Sequence, residues 1–271
     1  MTTTSPIDSD PPEIHDGIND PFFFRSSDRE AVLFLHGLGG GPYEFRPLAD
    51  RVHRAGWTVR AIVYPGHDSK SFMMPDSTWK DWFGAARSAF DELKAEYEVV
   101  HVVGFSTGSP ISLKLADERP SVASLTLLGP FLSVYRPPLL PVPPETLAQT
   151  LGKIISHVPR RPPAVRDLAV RKRLQKQLRL SRTFSMSVTR SALELIGQVR
   201  EILPRIAMPI LVIQSLADTV VDPNGARAIH ETVASTINRL IMLERSDHLI
   251  VWDDEREIVF RETLNFLHSL A

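Results

Sequence analysis

Gly104-Phe105-Ser106-Thr107-Gly108 follows directly on the apolar run Val99-Val100-His101-Val102-Val103, and a serine between glycines at the end of a buried strand is a candidate nucleophile. A serine hydroxyl attacks poorly in water. It becomes effective when a sharp turn presents it to a base and to hydrogen-bond donors for a developing oxyanion. Gly104 and Gly108 lack the Cβ atoms that would collide where strand and helix meet closely. An ordinary serine in a glycine-bounded turn fits the same five residues, so the partners decide. Residues 209–214 form an apolar run leading to Asp218 and Asp222, and residues 239–243 form another leading to Ser246-Asp247-His248. Nucleophile, acid and base thus appear in the order Ser106, Asp218, His248, each beyond an apolar run.

Those runs belong to a regular pattern. Strand-like segments at residues 31–35, 58–63, 99–103, 123–128, 210–214 and 240–243 alternate with longer helical patterns, which predicts an α/β fold: a mostly parallel sheet with helices on both faces. Phe22-Phe23-Phe24 reads as an early strand against the core. Trp79, Trp82, Phe83, Ala86, Phe90, Leu93 and Tyr97 recur at three- and four-residue spacing behind Ser77 and Thr78, either of which caps such a helix. A last helix carries Ile258, Val259, Thr263, Phe266 and Leu267, with Asp253, Asp254 and Glu255 read as its acidic first turn. In strand-helix sheets the loops after the strands converge on one crevice, where the three candidate residues are expected to meet.

Composition bounds the rest. The chain has 271 residues, 43% hydrophobic and 23% charged, with a net charge of -1, which fits one large α/β domain with no global pull toward nucleic acid or acidic membranes. Cysteine is absent, which removes disulfides, thiolate nucleophiles and cysteine zinc sites. No metal is expected: His15, His53, His157, His230 and His268 show no ligand pairing, and there is no His-Glu-x-x-His pattern. No cofactor is expected either, because the glycine loop after Leu35 lacks the lysine and hydroxyl residue of a P-loop, and Pro42 interrupts a dinucleotide reading. The polar, acidic start of the chain predicts a cytoplasmic protein with a loose tail over residues 1–20, without an integral membrane segment.

His36-Gly37-Leu38-Gly39-Gly40, Pro65-Gly66-His67, the serine turn, Asp218 and Ser246-Asp247-His248 together resemble the serine α/β-hydrolase superfamily, and within it the carboxylesterase and monoacylglycerol lipase group. The resemblance covers residues 22–271 apart from one segment. It implies Ser106 as nucleophile, His248 as general base and then acid, and Asp218 as the group that holds the imidazole. It also implies an oxyanion hole from the backbone N–H groups of Leu38 and Thr107, with Gly39, Gly40 and Gly41 letting the loop approach the substrate. The implied reaction is hydrolysis of small carboxylic esters with short to medium acyl chains, monoacylglycerols among them, through an acyl-serine. The same triad serves acyl thioesterases, small-peptide serine peptidases, lactonases and acyltransferases, and a non-catalytic receptor on the same fold also stays open. Haloalkane dehalogenases and epoxide hydrolases are disfavoured, since they need an aspartate where this chain has Ser106.

Other polar residues have structural readings. Asp222 precedes Pro223 and reads as a turn or capping residue, Asp247 as loop support, His36 and His67 as loop hydrogen-bonding groups, and His101 as a satisfied sheet histidine. Residues 131–190 break the rhythm with proline clusters and a basic helical stretch, predicting a mostly helical cap inserted between core segments 21–130 and 191–271. Arg136, Lys153, Arg160, Arg161, Arg166, Arg171, Lys172, Arg173, Lys176, Arg179, Arg182 and Arg190 outnumber Glu145 and Asp167 there. A solvated basic face is the favoured reading, with anionic substrates or a membrane surface as its alternative. Leu168, Leu174, Leu178 and Leu180 bury against the core or line an acyl channel.

Overall fold

The computed structural model describes residues 17–67, 72–136, 142, 144–151, 154–178 and 180–270. Most of the predicted tail, with His15, therefore lies outside the described residues, as do Pro137, Pro138, Pro141, Pro143, Lys153 and Arg179. The chain runs β1 (Phe22–Phe24), β2 (Glu30–Leu35), α1 (Arg46–Arg54), β3 (Thr58–Ala61), α2 (Trp79–Glu96), β4 (Val99–Phe105), α3 (Gly108–Glu118) and β5 (Ser124–Leu128). Then come α4 (Pro144–Leu151), β6 (His157–Pro159), α5 (Leu168–Gln177), β7 (Thr183–Ser185), α6 (Met186–Ile202), β8 (Ile210–Ser215), α7 (Asn224–Thr232), β9 (Asn238–Leu243) and α8 (Arg256–His268).

Seven strands form one sheet in the order β1-β3-β2-β4-β5-β8-β9, parallel throughout except for β1 on β3. The central strands β2, β4, β5 and β8 are buried on both faces. Val100 and Val102 of β4 join a cluster with Trp82 and Phe90 of α2, Ile111 of α3 and Leu195 of α6, whereas Val103 and Phe105 join Leu48 of α1 and Phe266 of α8. That two-residue alternation between apolar layers is what a parallel sheet covered by helices on both faces requires. The sheet order reverses between β2 and β4, whose register pairs Leu35 with Gly104. Loops after two strands flanking such a reversal open a crevice. Here those loops begin at His36 and Ser106.

Thr78 caps α2 with a reciprocal box to Asp81, so of the two predicted caps the threonine is used. The segment expected to be mostly helical also contains a ribbon, β6 antiparallel to β7, and α6 continues unbroken through position 190. Val170 and Leu174 of α5 are buried in the layer of α1 and α8, with Leu178 and Leu180 partly buried against it. Leu168 is exposed. Core packing, not a channel, takes three of these four leucines.

Candidate active site

Ser106 lies between β4 and α3 with a φ of 52°, and it is the one residue other than glycine with positive φ among the described residues. Such a conformation costs on the order of 1–3 kcal/mol and needs surroundings that over-determine it. The Ser106 N–H donates to Leu128 O at 2.9 Å, and its C=O accepts from Ser109 N–H and Phe131 N–H. A Cβ on Gly108 would collide with the Leu35 carbonyl, so β2 and the first turn of α3 meet only through glycine. Strand, turn and helix together hold the hydroxyl up into the crevice.

Asp218 follows β8 and His248 follows β9. The Ser106 Oγ lies 2.9 Å from His248 Nε2, and His248 Nδ1 lies 2.7 Å from Asp218 Oδ2. An ionised carboxylate only accepts, so Nδ1 carries the ring proton and Nε2 is left to accept the serine hydroxyl's. Asp218 Oδ1 accepts Val220 N–H at 2.8 Å and Val221 N–H at 2.9 Å, and Gln214 Nε2 donates to Oδ2 at 3.0 Å. Burial penalises the charged forms of both residues. Their mutual attraction outweighs it, holding Asp218 below the usual carboxylate range and His248 above the usual histidine value.

The loop over residues 36–41 supplies the third part. His36 Nε2 accepts Tyr64 N–H at 3.0 Å, so its Nδ1–H donates to Gly37 O at 2.8 Å. Burial, with the neighbouring His67, keeps that ring neutral by pushing its pKa well down. The Gly37 carbonyl also accepts Gly40 N–H at 3.1 Å. A trans peptide then points Leu38 N–H the opposite way, away from both bonds. Among the described residues, the N–H groups of Leu38 and Thr107 make no hydrogen bond.

The glycines of this loop leave room for other parts of the chain. A Cβ on Gly39 would meet Phe184 and, at 2.8 Å, Arg160 Nη2, while one on Gly40 would collide with Glu44 and one on Gly41 with Asn19. Glu44, buried between aromatics in Pro42-Tyr43-Glu44-Phe45, was not legible as part of any site. A lone acid amid apolar neighbours was its one signal.

Asp253 and Glu255 are the other correction. Neither caps α8. Glu255 accepts the N–H groups of Glu244, Arg245 and Ser246 at 2.7–3.1 Å, and Asp253 accepts those of Asp247 at 2.6 Å and of Arg166 and Asp167 at 2.9–3.3 Å. A tight loop ending a parallel strand leaves consecutive amides unpaired, and these carboxylates satisfy them. Trp252 Nε1 donates to Tyr43 O at 2.9 Å, tying the histidine loop to the glycine loop.

The remaining polar residues follow their structural readings. Asp247 accepts Thr219 N–H, Thr219 Oγ and His248 N–H, while Asp222 accepts Asn224 N–H ahead of α7. His67 Nδ1 is 3.2 Å from Pro65 O. His101 is only half satisfied: Nδ1 meets Ser124 Oγ at 2.7 Å, Nε2 has no hydrogen-bond partner among the described residues, and burial lowers its pKa to about 4. Among the described residues no cluster of three or more His, Cys, Asp or Glu is placed to hold a metal. No helix among them is long and apolar enough to cross a membrane.

A family model described as serine aminopeptidase, S33, within a hydrolase group, matches residues 26–255. The chain belongs to this family. Two relatives match nearly end to end: a thermostable monoacylglycerol lipase of Bacillus sp. (strain H-257), 26% identical over 92% of this chain and 94% of that enzyme, and a carboxylesterase of Bacillus subtilis (strain 168), 25% identical over 92% and 96%. Among solved structures, one from the metagenome-derived lipolytic enzymes LipS and LipT superposes with a TM-score of 0.81 at 24% identity, covering 95% of this S33 chain and all of that one. A monoacylglycerol lipase from Paleococcus ferrophilus superposes at 0.79 with 22% identity, covering 93% and 98%. At those identities the structural likeness speaks for the fold.

Proposed function

We propose that this S33 member hydrolyses small carboxylic esters with short to medium acyl chains, monoacylglycerols among them, through an acyl-serine intermediate. The unbroken chain from Asp218 through His248 to Ser106 carries the reading. His248 Nε2 removes the hydroxyl proton as Ser106 Oγ adds to the acyl carbon, and Asp218 stabilises the resulting imidazolium. The oxyanion is met by the unused N–H groups of Leu38 and Thr107. Collapse expels the alcohol, which takes its proton from His248. Water, deprotonated by the same nitrogen, then cleaves the acyl-serine to a carboxylic acid and regenerates Ser106.

Esters are preferred to amides because the curated relatives that match over more than nine-tenths of this chain are named for esters. The family description names a peptidase, so amides are the competing class. Residues 131–190 act as a cap in this reading, with Phe184 and Arg160 laid over the glycine loop. Incubation with a fluorophosphonate is expected to leave one adduct, on Ser106, located by peptide mass spectrometry. Nitrophenyl esters of increasing chain length are expected to turn over faster than aminoacyl arylamides. An unlabelled Ser106 would overturn the reading; faster arylamide cleavage would replace esterase with peptidase.

His248 must be neutral to accept the proton, so kcat/KM falls as pH drops through its pKa. Because Asp218, Glu44 and Asp247 all raise that pKa against the opposing effect of burial, the midpoint of the acid limb is expected above the ordinary histidine value of about 6.5. A pH profile on an activated ester, with chemistry rate-limiting, checks it. A midpoint well below that value would separate His248 from the proton transfer.

A further inference from the structure

Glu44 is 5% exposed, and its Oε2 accepts Gly37 N–H at 2.7 Å. It forms no ion pair among the described residues. An unpaired carboxyl is an expensive group to bury when a hydroxyl or amide would accept the same hydrogen bond. Its surroundings indicate what it serves. A Cβ on Gly37 would lie 3.0 Å from Ser106 Cβ, 3.3 Å from Glu44 Oε2 and 3.4 Å from the Phe105 ring, so one glycine separates the carboxyl from the serine. The other oxygen, Oε1, fills the space beside Gly40 that a side chain there would need. One carboxyl therefore touches both ends of the turn that the Gly40 N–H to Gly37 O bond closes, and Leu38 sits inside that turn.

We propose that Glu44 is a positioning residue of the oxyanion loop, holding Gly37 N–H so that the next peptide keeps Leu38 N–H turned toward the reacting centre. The proposal rests on the hydrolase reading, since only an oxyanion gives Leu38 N–H a task. Gly37 is held from both sides: Glu44 takes its N–H, while His36 Nδ1–H and Gly40 N–H bind its C=O. The first bond holds the peptide plane between His36 and Gly37, and the other two hold the plane between Gly37 and Leu38, so the backbone on both sides of Gly37 is fixed. The groups that face the carboxyl are Tyr43 on its own turn, Tyr64 after β3, Arg160 from the segment over the loop, and His248. Burial raises the Glu44 pKa to about 7, against the lowering pull of Gly37 N–H, His248 and Arg160. Either protonation state keeps an oxygen able to accept Gly37 N–H, so the loop is held on both sides of neutrality. The ionised state adds a negative charge facing His248.

Glu44→Ala and Glu44→Gln test this on the full chain with a nitrophenyl ester, with kcat expressed per site titrated to completion by fluorophosphonate. Glu44→Ala removes the acceptor and is expected to lose about 100-fold in kcat with KM within about threefold, the scale of losing one oxyanion donor. Glu44→Gln keeps an acceptor oxygen and is expected within about fivefold of wild type. Its acid limb in kcat/KM is expected to shift to lower pH, because one carboxylate facing His248 is gone. A role confined to packing leaves kcat per titrated site unmoved. Wild-type kcat per site in Glu44→Ala, or equal losses in both variants, would each overturn the proposal; if Glu44→Ala does not fold, a loss in Glu44→Gln well beyond the expected fivefold decides against it, because the acceptor oxygen is kept there. Failure of the wild-type chain to label or turn over overturns the hydrolase reading itself. A labelled, active wild type beside an unimpaired Glu44→Ala overturns only the role of Glu44.

Discussion

Ser106→Ala is expected to lower kcat on a nitrophenyl ester by about a million-fold, the scale on which removing a triad serine acts. The magnitude follows from what remains. The His248 pair with Asp218 and the N–H groups of Leu38 and Thr107 stay in place, but no oxygen is left to form the acyl bond, so residual rate comes from water attacking a substrate bound near the oxyanion donors. KM is expected to change little, because the lost hydroxyl acts only once bond formation begins. The change is also expected to leave folding intact, since the turn is held by backbone bonds from Ser106 to Leu128, Ser109 and Phe131 that alanine keeps. Ser106→Gly sharpens the experiment. Glycine occupies a φ of 52° without strain, so this variant is expected to be inactive yet at least as stable as wild type in thermal unfolding. Residual activity above about a thousandth of wild type, co-eluting with the purified variant, would mean that another nucleophile acts.

The sheet and the chain of side chains on it were legible because both are written in short, local patterns. Buried parallel strands must be continuous apolar runs, and the loops that end them must carry the polar groups, so Ser106, Asp218 and His248 stood out by position as well as by type. The strand predicted over residues 58–63 shows the limit of that logic: apolar residues continue, but pairing with β1 and β2 stops at Ala61. The glycine loop shows another. Sequence gives the absence of side chains at Gly39, Gly40 and Gly41 but not what fills the space, and Phe184 and Arg160 arrive from residues more than a hundred positions away. Asp253 and Glu255 were misread for a related reason. An acid just before a helix and an acid folded back onto a preceding loop have the same local sequence, and only the unpaired amides after β9 distinguish them. Glu44 lacked even a misleading pattern. Its role depends on a carboxyl being closed over by a turn, which no spacing rule describes.

Asp218→Asn is expected to lower kcat by about ten-thousand-fold while leaving the geometry nearly unchanged. The hydrogen bonds fix the direction of the substitution. Val220 N–H and Val221 N–H both donate to Asp218 Oδ1, so an asparagine must place its carbonyl oxygen there and its NH₂ group where Oδ2 now faces His248 Nδ1. That NH₂ donates to Nδ1, which moves the ring proton to Nε2. A protonated Nε2 cannot accept the proton of Ser106. The same NH₂ also meets the donating Nε2 of Gln214, 3.0 Å from Oδ2 in the wild type, so a loss of stability on the order of 1–3 kcal/mol is expected from the opposed donors. A second signature separates this from general damage: with the carboxylate gone, burial is left to lower the His248 pKa, and the acid limb of kcat/KM is expected to fall below its wild-type position. Asp247→Asn is the matched control, since its carboxylate is engaged by Thr219 and the His248 backbone rather than the ring. If Asp218→Asn cost less than tenfold while Asp247→Asn cost a thousandfold, the acid of the triad would have to be reassigned to Asp247.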